Sequence, residues 1–228
     1  MTHNYSFIIP VYREGQIINQ TIQNIRALKD GAQAEIIVVD GNSGQDTLEE
    51  IEFPSVKKIV SARGRGRQMN AGAGEAGGDI LVFLHADTRL PDNALNLMAE
   101  VLADIAFVAG AFDLGIDSRR FVFRVIEKMA SWRSRLTRIP YGDKAIFIRA
   151  DYFKSLGGFQ SIPIMEEVEL MQRIKRNNHR IVILRERVRT SPRRWEAEGI
   201  IFCTLRNWLL IALYLLGIKP ETLVRFYK

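Results

Sequence analysis

The sequence contains a single cysteine, Cys203, among its 228 residues. One cysteine cannot build an internal disulfide framework, which excludes the small disulfide-rich secreted proteins. The first residues, MTHNYSFIIPV, also lack the basic region and the long apolar core of a secretion signal. These two absences predict a cytoplasmic protein and leave association with a membrane open.

Long apolar runs are scarce as well. The longest, residues 208–216, falls short of the roughly 20 residues that a bilayer-spanning helix needs. No internal repeat, low-complexity tract or linker divides the chain, so we expect one domain over residues 1–228, with an apolar helical segment at about 196–218. That segment has three interpretations: a buried helix, a surface that faces lipid, or a dimer interface.

Positive charge is in modest excess, with 32 Lys and Arg against 26 Asp and Glu. The arginines cluster in RGRGR, residues 63–67, and again at residues 185–194. Such clusters favour an anionic partner, which includes nucleic acid, acidic lipid and phosphate-bearing small molecules. No nucleic-acid-binding motif accompanies the arginines and no aromatic residues alternate with them, so we expect no nucleic-acid partner.

Short apolar runs rich in Ile and Val alternate with helix-like segments through the first hundred residues. Continuous apolar runs are typical of strands that are covered on both faces, as in a mostly parallel sheet. Helical spacing appears over Ile18–Leu28 and in the segment that Pro91 begins. The pattern predicts an α/β fold, in which a mostly parallel central sheet carries helices on both faces. The predicted strands lie in SFIIPVY, AEIIVVDG, DILVFLHAD, IAFVAGAFDL and KAIFIRA.

Polar side chains follow three of these strands where each strand ends. Ligands of such sheets bind beyond the carboxyl ends of the strands, so we expect the three groups to border one cleft. The competing interpretation is that the aspartates only cap turns or helices. The residues are Tyr12 and Glu14 after the first strand, Asp40 after the second, and His85 with Asp87 after the run ILVFL. Pro10, within the first strand, is a further candidate for the nucleotide-sugar site.

The segment RGRGRQMNAGAGEAGGD contains neither a GxxxxGK[ST] phosphate loop nor a dinucleotide fingerprint. We therefore expect a flexible basic loop that leads into a helix at Met69–Ala76. Arg65 and Arg67 in that loop would meet phosphate oxygens, which arginine binds in a fork geometry.

Five motifs in one order resemble the inverting GT-A nucleotide-sugar glycosyltransferases of family two. They are IIPVYRE, IIVVDGNSGQDT, FLHADT, GGFQSIPIMEEVEL and PRRWE, and the resemblance covers Ser6 to about Leu223. More narrowly, GRQMNAG and PYGDKAIFIR resemble a small bacterial family-two-like subgroup. The resemblance implies the GT-A (nucleotide-diphospho-sugar transferase) fold, a UDP or GDP sugar as donor, a divalent metal, Mn²⁺ or Mg²⁺, and a hydroxyl acceptor that is lipid-linked or free.

The resemblance also implies roles for individual residues on the donor side. Tyr12 and Asp40 would contact the base and ribose, and Arg65 and Arg67 would lie near the nucleotide. Asp87 would hold the metal on the diphosphate. The preceding acidic position of the metal motif is His85 here, whose imidazole would ligate manganese or hydrogen-bond the ribose. The loss of one negative charge would weaken the site or favour manganese over magnesium.

The catalytic base implied by the resemblance is Glu167, at a position where the family usually has an aspartate. Glu166 and Glu169 are the alternatives, and helical spacing groups those two on one face with Glu167 turned away. An acidic first turn that only complements the helix dipole explains the same residues without catalysis.

The remaining candidates lie in PYGDKAIF and PRRWE. Tyr141, Gly142 and Asp143 would contact the sugar or the acceptor, although a tight turn explains the last two equally well. Arg193 and Arg194 would close over the diphosphate, and Trp195 would stack on a sugar or anchor the core. Two other function classes stay open: a sugar nucleotidyltransferase, and a non-enzymatic module that docks on a membrane or a partner.

Overall fold

The computed structural model describes residues 4–227, apart from the surroundings of Gly142. The strands are β1 (Tyr5–Val11), β2 (Glu35–Asp40), β3 (Lys57–Val60), β4 (Ile80–Phe83), β5 (Thr88–Arg89), β6 (Phe107–Asp113), β7 (Ile146–Arg149), β8 (Arg180–Arg187) and β9 (Arg189–Thr190). The α-helices are α1 (Gly15–Arg26), α2 (Asp46–Glu49), α3 (Arg65–Gly74), α4 (Ala94–Ala103), α5 (Phe121–Thr137), α6 (Ala150–Ser155), α7 (Glu166–Arg176), α8 (Arg193–Glu198), α9 (Ile200–Leu215) and α10 (Pro220–Leu223).

Seven strands form the central sheet in the order β3-β2-β1-β4-β7-β6-β8. All neighbouring pairs are parallel except the two that β7 makes, with β4 and with β6. The predicted α/β fold with a mostly parallel sheet is therefore confirmed. A second, two-stranded ribbon joins β5 to β9 in antiparallel register.

Both faces of the sheet are covered, as the continuous apolar runs predict. On β1, Phe7 and Ile9 belong to the hydrophobic cluster that includes Ile18 and Ile22 of α1. Ile8, between them in sequence, points to the opposite face and packs with the cluster that contains α7 residues. This alternation follows from the two-residue period of a strand, which sends successive side chains to opposite faces.

Two predicted helix starts differ from the observed ones. The helix expected from Met69 begins at Arg65, because Gly64 takes a φ of +139° and lets the chain turn into the helix four residues earlier. Arg65 is thus held on a helix rather than on a flexible loop. The helix expected from Pro91 begins at Ala94, whose backbone N–H donates to the carbonyl of Pro91 in a preceding turn.

The carboxyl-terminal apolar segment forms two helices rather than one. Gly199, with a φ of +91°, separates α8 from α9. Between residues 4 and 227, no helix combines the length and the apolar character needed to cross a membrane.

Candidate functional site

A cleft of about 540 Å³ lies beyond the carboxyl ends of β1 and β4. Its walls also include the start of α3, the start of α7, helix α8 and the inner face of α9. Thirteen of the residues singled out from the sequence line it together. They are Pro10, Tyr12, Glu14, Arg65, His85, Asp87, Tyr141, Asp143, Glu166, Glu167, Arg193, Arg194 and Trp195.

Two of the donor-side candidates, Asp40 and Arg67, lie outside the cleft wall. Asp40 is fully buried, and its carboxylate accepts hydrogen bonds from the backbone N–H groups of Asn42, at 2.8 Å, and Thr47, at 3.3 Å. It therefore stabilises the loop after β2, as the turn-capping interpretation expects. Arg67 donates from Nε to Ser161 Oγ at 2.8 Å, which ties α3 to the segment before α7. Gly142 belongs to the 3₁₀ turn Gly142–Lys144, and its surroundings are outside the described part of the structure.

The acidic pair at the start of α7 faces Arg65 at the start of α3. The Arg65 guanidinium is 4.0 Å from Glu166 Oε1 and 3.7 Å from Glu167 Oε1. Glu169 instead pairs with Arg173, at 2.7 Å, and does not line the cleft. Glu166 and Glu167 therefore share one arginine, because the starts of α3 and α7 meet at this point.

Burial changes the protonation of this pair. Burial, and to a smaller extent the nearby carboxylate of Glu167, raises the pKa of Glu166 to about 8. Burial also raises the pKa of Glu167, and Arg65 opposes that rise. Two adjacent buried carboxylates beside one cation favour a state in which the pair carries one proton.

Unpartnered polar atoms concentrate in the cleft. A buried polar atom without a hydrogen bond costs about 1–3 kcal/mol, so such atoms mark places where a polar ligand or water completes the structure. Among the described residues, five such side-chain atoms belong to cleft residues. They are His85 Nε2, Tyr141 Oη, Asp143 Oδ1, Glu167 Oε1 and Asn207 Oδ1.

Arg193 closes one side of the cleft by joining two acidic residues from different loops. Its guanidinium forms a two-pronged pair with Glu14, with one contact at 2.7 Å, and its Nε lies 3.2 Å from Asp87 Oδ2. Arg194, beside it, lies over the Tyr227 ring at 4.3 Å. Ion pairs of Arg193 thus hold helix α8 at the ends of β1 and β4.

Trp195 both packs in a hydrophobic cluster and lines the cleft. Its ring meets Phe123 edge-on, with 6.0 Å between centroids, and packs with Leu114 and Ile116. It also lines the cleft. The same side chain therefore anchors α8 to the body of the protein and contributes an aromatic surface to the site.

His85 and Asp87 form the part of the cleft that is suited to a cation. Burial, and then the nearby Arg65, Arg193 and Arg194, hold the pKa of His85 well below its ordinary value, so the imidazole is neutral and Nε2 is free to bind. Among residues 4–227, no three His, Cys, Asp or Glu side chains converge as a closed metal site. One carboxylate and one neutral imidazole fit a hard divalent ion that takes its remaining ligands from phosphate and water.

Sequence reasoning missed several cleft residues. Gln68 donates from Nε2 to the carbonyls of Val11 and Val39, at 2.7 and 2.9 Å, and so fixes the ends of β1 and β2 beside the cleft. Asn207 and Tyr227 reach the cleft from the carboxyl-terminal segment. The sequence gives no signal for either residue, because both lie in a segment that is mostly apolar and contains no motif around them.

The match to a known family covers the first three of the five motifs, whereas GGFQSIPIMEEVEL and PRRWE lie beyond it. Residues 6–155 match the model of glycosyl transferase family 2. The chain belongs to this family. The matched range runs from β1 to the end of α6 and includes His85, Asp87 and the start of α3. The resemblance drawn from the five motifs is thereby confirmed.

Two curated family 2 relatives are named dolichol-phosphate mannosyltransferase. The one from Pyrococcus furiosus is 26% identical over 175 residues, which cover 72% of this chain and 48% of the relative. The one from Saccharomyces cerevisiae is 32% identical over 149 residues, which cover 59% of this chain and 56% of the relative. The chain therefore spans about half the length of these relatives.

Solved structures confirm the GT-A fold that the family match implies. The mannosyltransferase PcManGT from Pyrobaculum calidifontis, solved with GDP-Man and Mn²⁺, superposes with a TM-score of 0.66 at 21% identity, covering 83% of this chain and 57% of that one. S. aureus TarS, solved with UDP, superposes with a TM-score of 0.65 at 18% identity, covering 82% of this chain and 60% of that one.

Proposed function

We propose that this family 2 member transfers a sugar from a nucleoside diphosphate sugar to a hydroxyl acceptor, with inversion at the anomeric carbon and with the help of a divalent metal. The observation that carries the proposal is the buried Glu167 carboxylate, whose Oε1 has no hydrogen-bond partner in a cleft that also contains Asp87 and several arginines. A carboxylate free to accept a proton and cations able to receive a diphosphate are the two requirements of this chemistry.

On the donor side, the arginines would bind the diphosphate. Arg65, Arg193 and Arg194 line the cleft, and Arg63 lies over the Tyr12 ring at 4.3 Å, where a base would stack. The relatives are named mannosyltransferases and the superposed structures hold UDP or GDP-Man, which supports a UDP or GDP sugar. Asp40 would act indirectly by holding the loop after β2.

On the acceptor side, Glu167 would be the base. It would take the proton of the acceptor hydroxyl while that oxygen attacks the anomeric carbon. The bond from that carbon to the diphosphate oxygen breaks, and its electron pair leaves with the diphosphate. Attack opposite the leaving group inverts the configuration. A proton held on Glu166, together with the cation of Arg65, would keep Glu167 ionised.

Asp87 and His85 would hold the metal, with phosphate oxygens and water as its other ligands. When bound, the ion neutralises the charge that develops on the leaving diphosphate. Arg193 contacts Asp87 and would be displaced or would share the carboxylate when the donor arrives. The presence of Mn²⁺ in the PcManGT structure supports this assignment.

The test compares Glu167→Gln with Glu169→Gln, two isosteric changes on one helix turn. We expect Glu167→Gln to leave nucleotide binding near normal and to lower turnover by about 100-fold or more, because it removes the proton acceptor. Glu169→Gln changes a residue outside the cleft and should retain most activity. Turnover is measured as release of the nucleoside diphosphate, and the anomeric configuration of the product is read by NMR. Normal turnover of Glu167→Gln, or retained configuration, would contradict the proposal.

A further inference from the structure

Large apolar side chains are exposed in one part of the molecule. Among the described residues, thirteen of the fifteen exposed large apolar side chains lie on α5, on α9 or after α9. Soluble monomers rarely expose contiguous apolar patches of this kind without a partner. On α5 they are Phe121, Val125, Met129, Trp132 and Leu136, and on α9 they are Ile201, Phe202, Leu205, Leu209 and Leu215.

The exposed residues of α5 form one stripe. Their spacing of four, four, three and four residues keeps them on a single helix face, while Phe123 and Ile126 on the opposite face are buried. Trp132 is 68% exposed, although a tryptophan is among the costliest side chains to leave in water. Within the described residues, nothing packs over this stripe.

Helix α9 likewise has one buried face and one exposed apolar face. Its inner face contributes Cys203, Asn207 and Leu210 to the cleft wall, and its outer face exposes Phe202, Leu205 and Leu209. Ile200, the first residue of α9, packs in the same cluster as Val122 and Phe123 of α5. The first turns of the two helices therefore border the same small apolar cluster, and each helix carries a row of exposed apolar residues.

The charge around this surface is positive. Residues 119–138 contain seven basic side chains and a single acidic one, Glu127, which is buried. Three of the basic residues, Arg119, Arg120 and Lys128, are exposed and take part in none of the ion pairs between described residues. Apolar and aromatic side chains flanked by Lys and Arg are the composition of a helix that lies in a membrane interface.

We propose that the exposed faces of α5 and α9 dock the protein on the surface of an anionic lipid bilayer. The apolar residues would enter the interface, and Arg119, Arg120 and Lys128 would meet the lipid phosphates, because basic residues near an anionic leaflet are attracted to it. Pairing of the same face in two copies of the chain would instead bring these unpaired cations together, which disfavours a symmetric dimer. The docked cleft, lined by the inner face of α9, would open beside the bilayer.

The experiment is flotation of the full chain with vesicles of phosphatidylcholine alone or mixed with phosphatidylserine. We expect binding to the mixed vesicles and little binding to phosphatidylcholine. Trp132→Ser should weaken binding by about tenfold or more, the effect of removing one large apolar side chain from the interface. The matched control is Ile105→Ser, which changes an exposed apolar residue that lies on neither helix.

A second pair of variants tests the charge. Lys128→Glu should weaken binding to the anionic vesicles by about tenfold, since each basic residue near the surface contributes on the order of 1 kcal/mol. Lys154→Glu on α6 changes an exposed lysine elsewhere and should have little effect. All four positions are exposed. Nucleotide titration measures the cleft independently of vesicle binding, so failure of the transferase proposal and failure of the docking proposal can be told apart.

Three results would overturn the docking proposal. One is equal binding to both kinds of vesicle, and another is wild-type protein that does not float with either. The third is a dimer in solution that Trp132→Ser dissociates, which would assign the same face to a second copy of the chain.

Discussion

The two halves of the chain use their apolar residues differently. Before α5, Val60 and Ile105 are the exposed large apolar side chains among the described residues, and the interiors of β1, β2 and β4 are almost completely buried. From α5 onward, thirteen others are exposed, and Arg193 of α8 is held at the cleft by ion pairs with Glu14 and Asp87. Both halves contribute to the core, but most of the exposed large apolar side chains lie in the second half, on α5, on α9 and after α9.

This difference predicts where a mutation affects stability. Ile9→Ala should lower the free energy of unfolding by about 2–5 kcal/mol, because it leaves a cavity in the centre of the sheet. Leu209→Ala should change it by less than about 0.5 kcal/mol, because Leu209 is 59% exposed. Chemical denaturation of both variants measures the contrast. A cost at Leu209 that approaches the cost at Ile9 would mean that the outer face of α9 is buried in solution.

The acidic pair Glu166 and Glu167 predicts a smaller effect, on the pH dependence of stability. The pKa of Glu166 rises in the folded state from an ordinary value of 4.5 to about 8, so the folded protein binds more protons than the unfolded chain between these values. The contribution of Glu166 to stability should therefore be greatest at low pH and fall as the pH rises from about 4.5 to 8, by at most roughly 1.4 kcal/mol per pH unit.

Glu166→Gln removes this dependence, and the difference in unfolding free energy between variant and wild type should grow in favour of the variant over that pH range. Glu100→Gln, at an exposed position on α4, is the control and should show a flat difference. A flat difference for Glu166→Gln as well would show that its carboxyl group is not buried against Glu167 in the way described.

The same contrast explains what could be predicted from the sequence. Runs such as FIIPV and EIIVVD identify their strands because burial on both faces leaves a continuous apolar signal, and three strand ends with polar residues indicate the cleft. The antiparallel direction of β7 carries no such signal, because the apolar pattern of a strand is the same in either direction. Local patterns are sufficient where local burial decides the structure.

Local patterns are insufficient where contacts between distant parts of the chain decide the structure. Asp40 follows its strand as His85 and Asp87 follow theirs, yet its carboxylate turns into the loop because two backbone N–H groups there need an acceptor. The pairing of Glu166 with Glu167 depends on Arg65, about a hundred residues earlier in the chain. The exposure of Trp132 could not be predicted either, since α5 and α9 carry apolar residues on both their buried and their exposed faces.

The most direct test of the central claim is calorimetric titration of the wild-type protein and of Asp87→Asn with nucleoside diphosphates, with and without Mn²⁺. The bases to compare are uridine, guanosine, thymidine, cytidine and adenosine. We expect UDP or GDP to bind, the affinity to depend on Mn²⁺, and Asp87→Asn to lose the metal-dependent part while it retains the fold. Binding that is unaffected by Asp87→Asn would remove this residue from the metal, and the absence of binding by every nucleotide would contradict a nucleotide-sugar transferase.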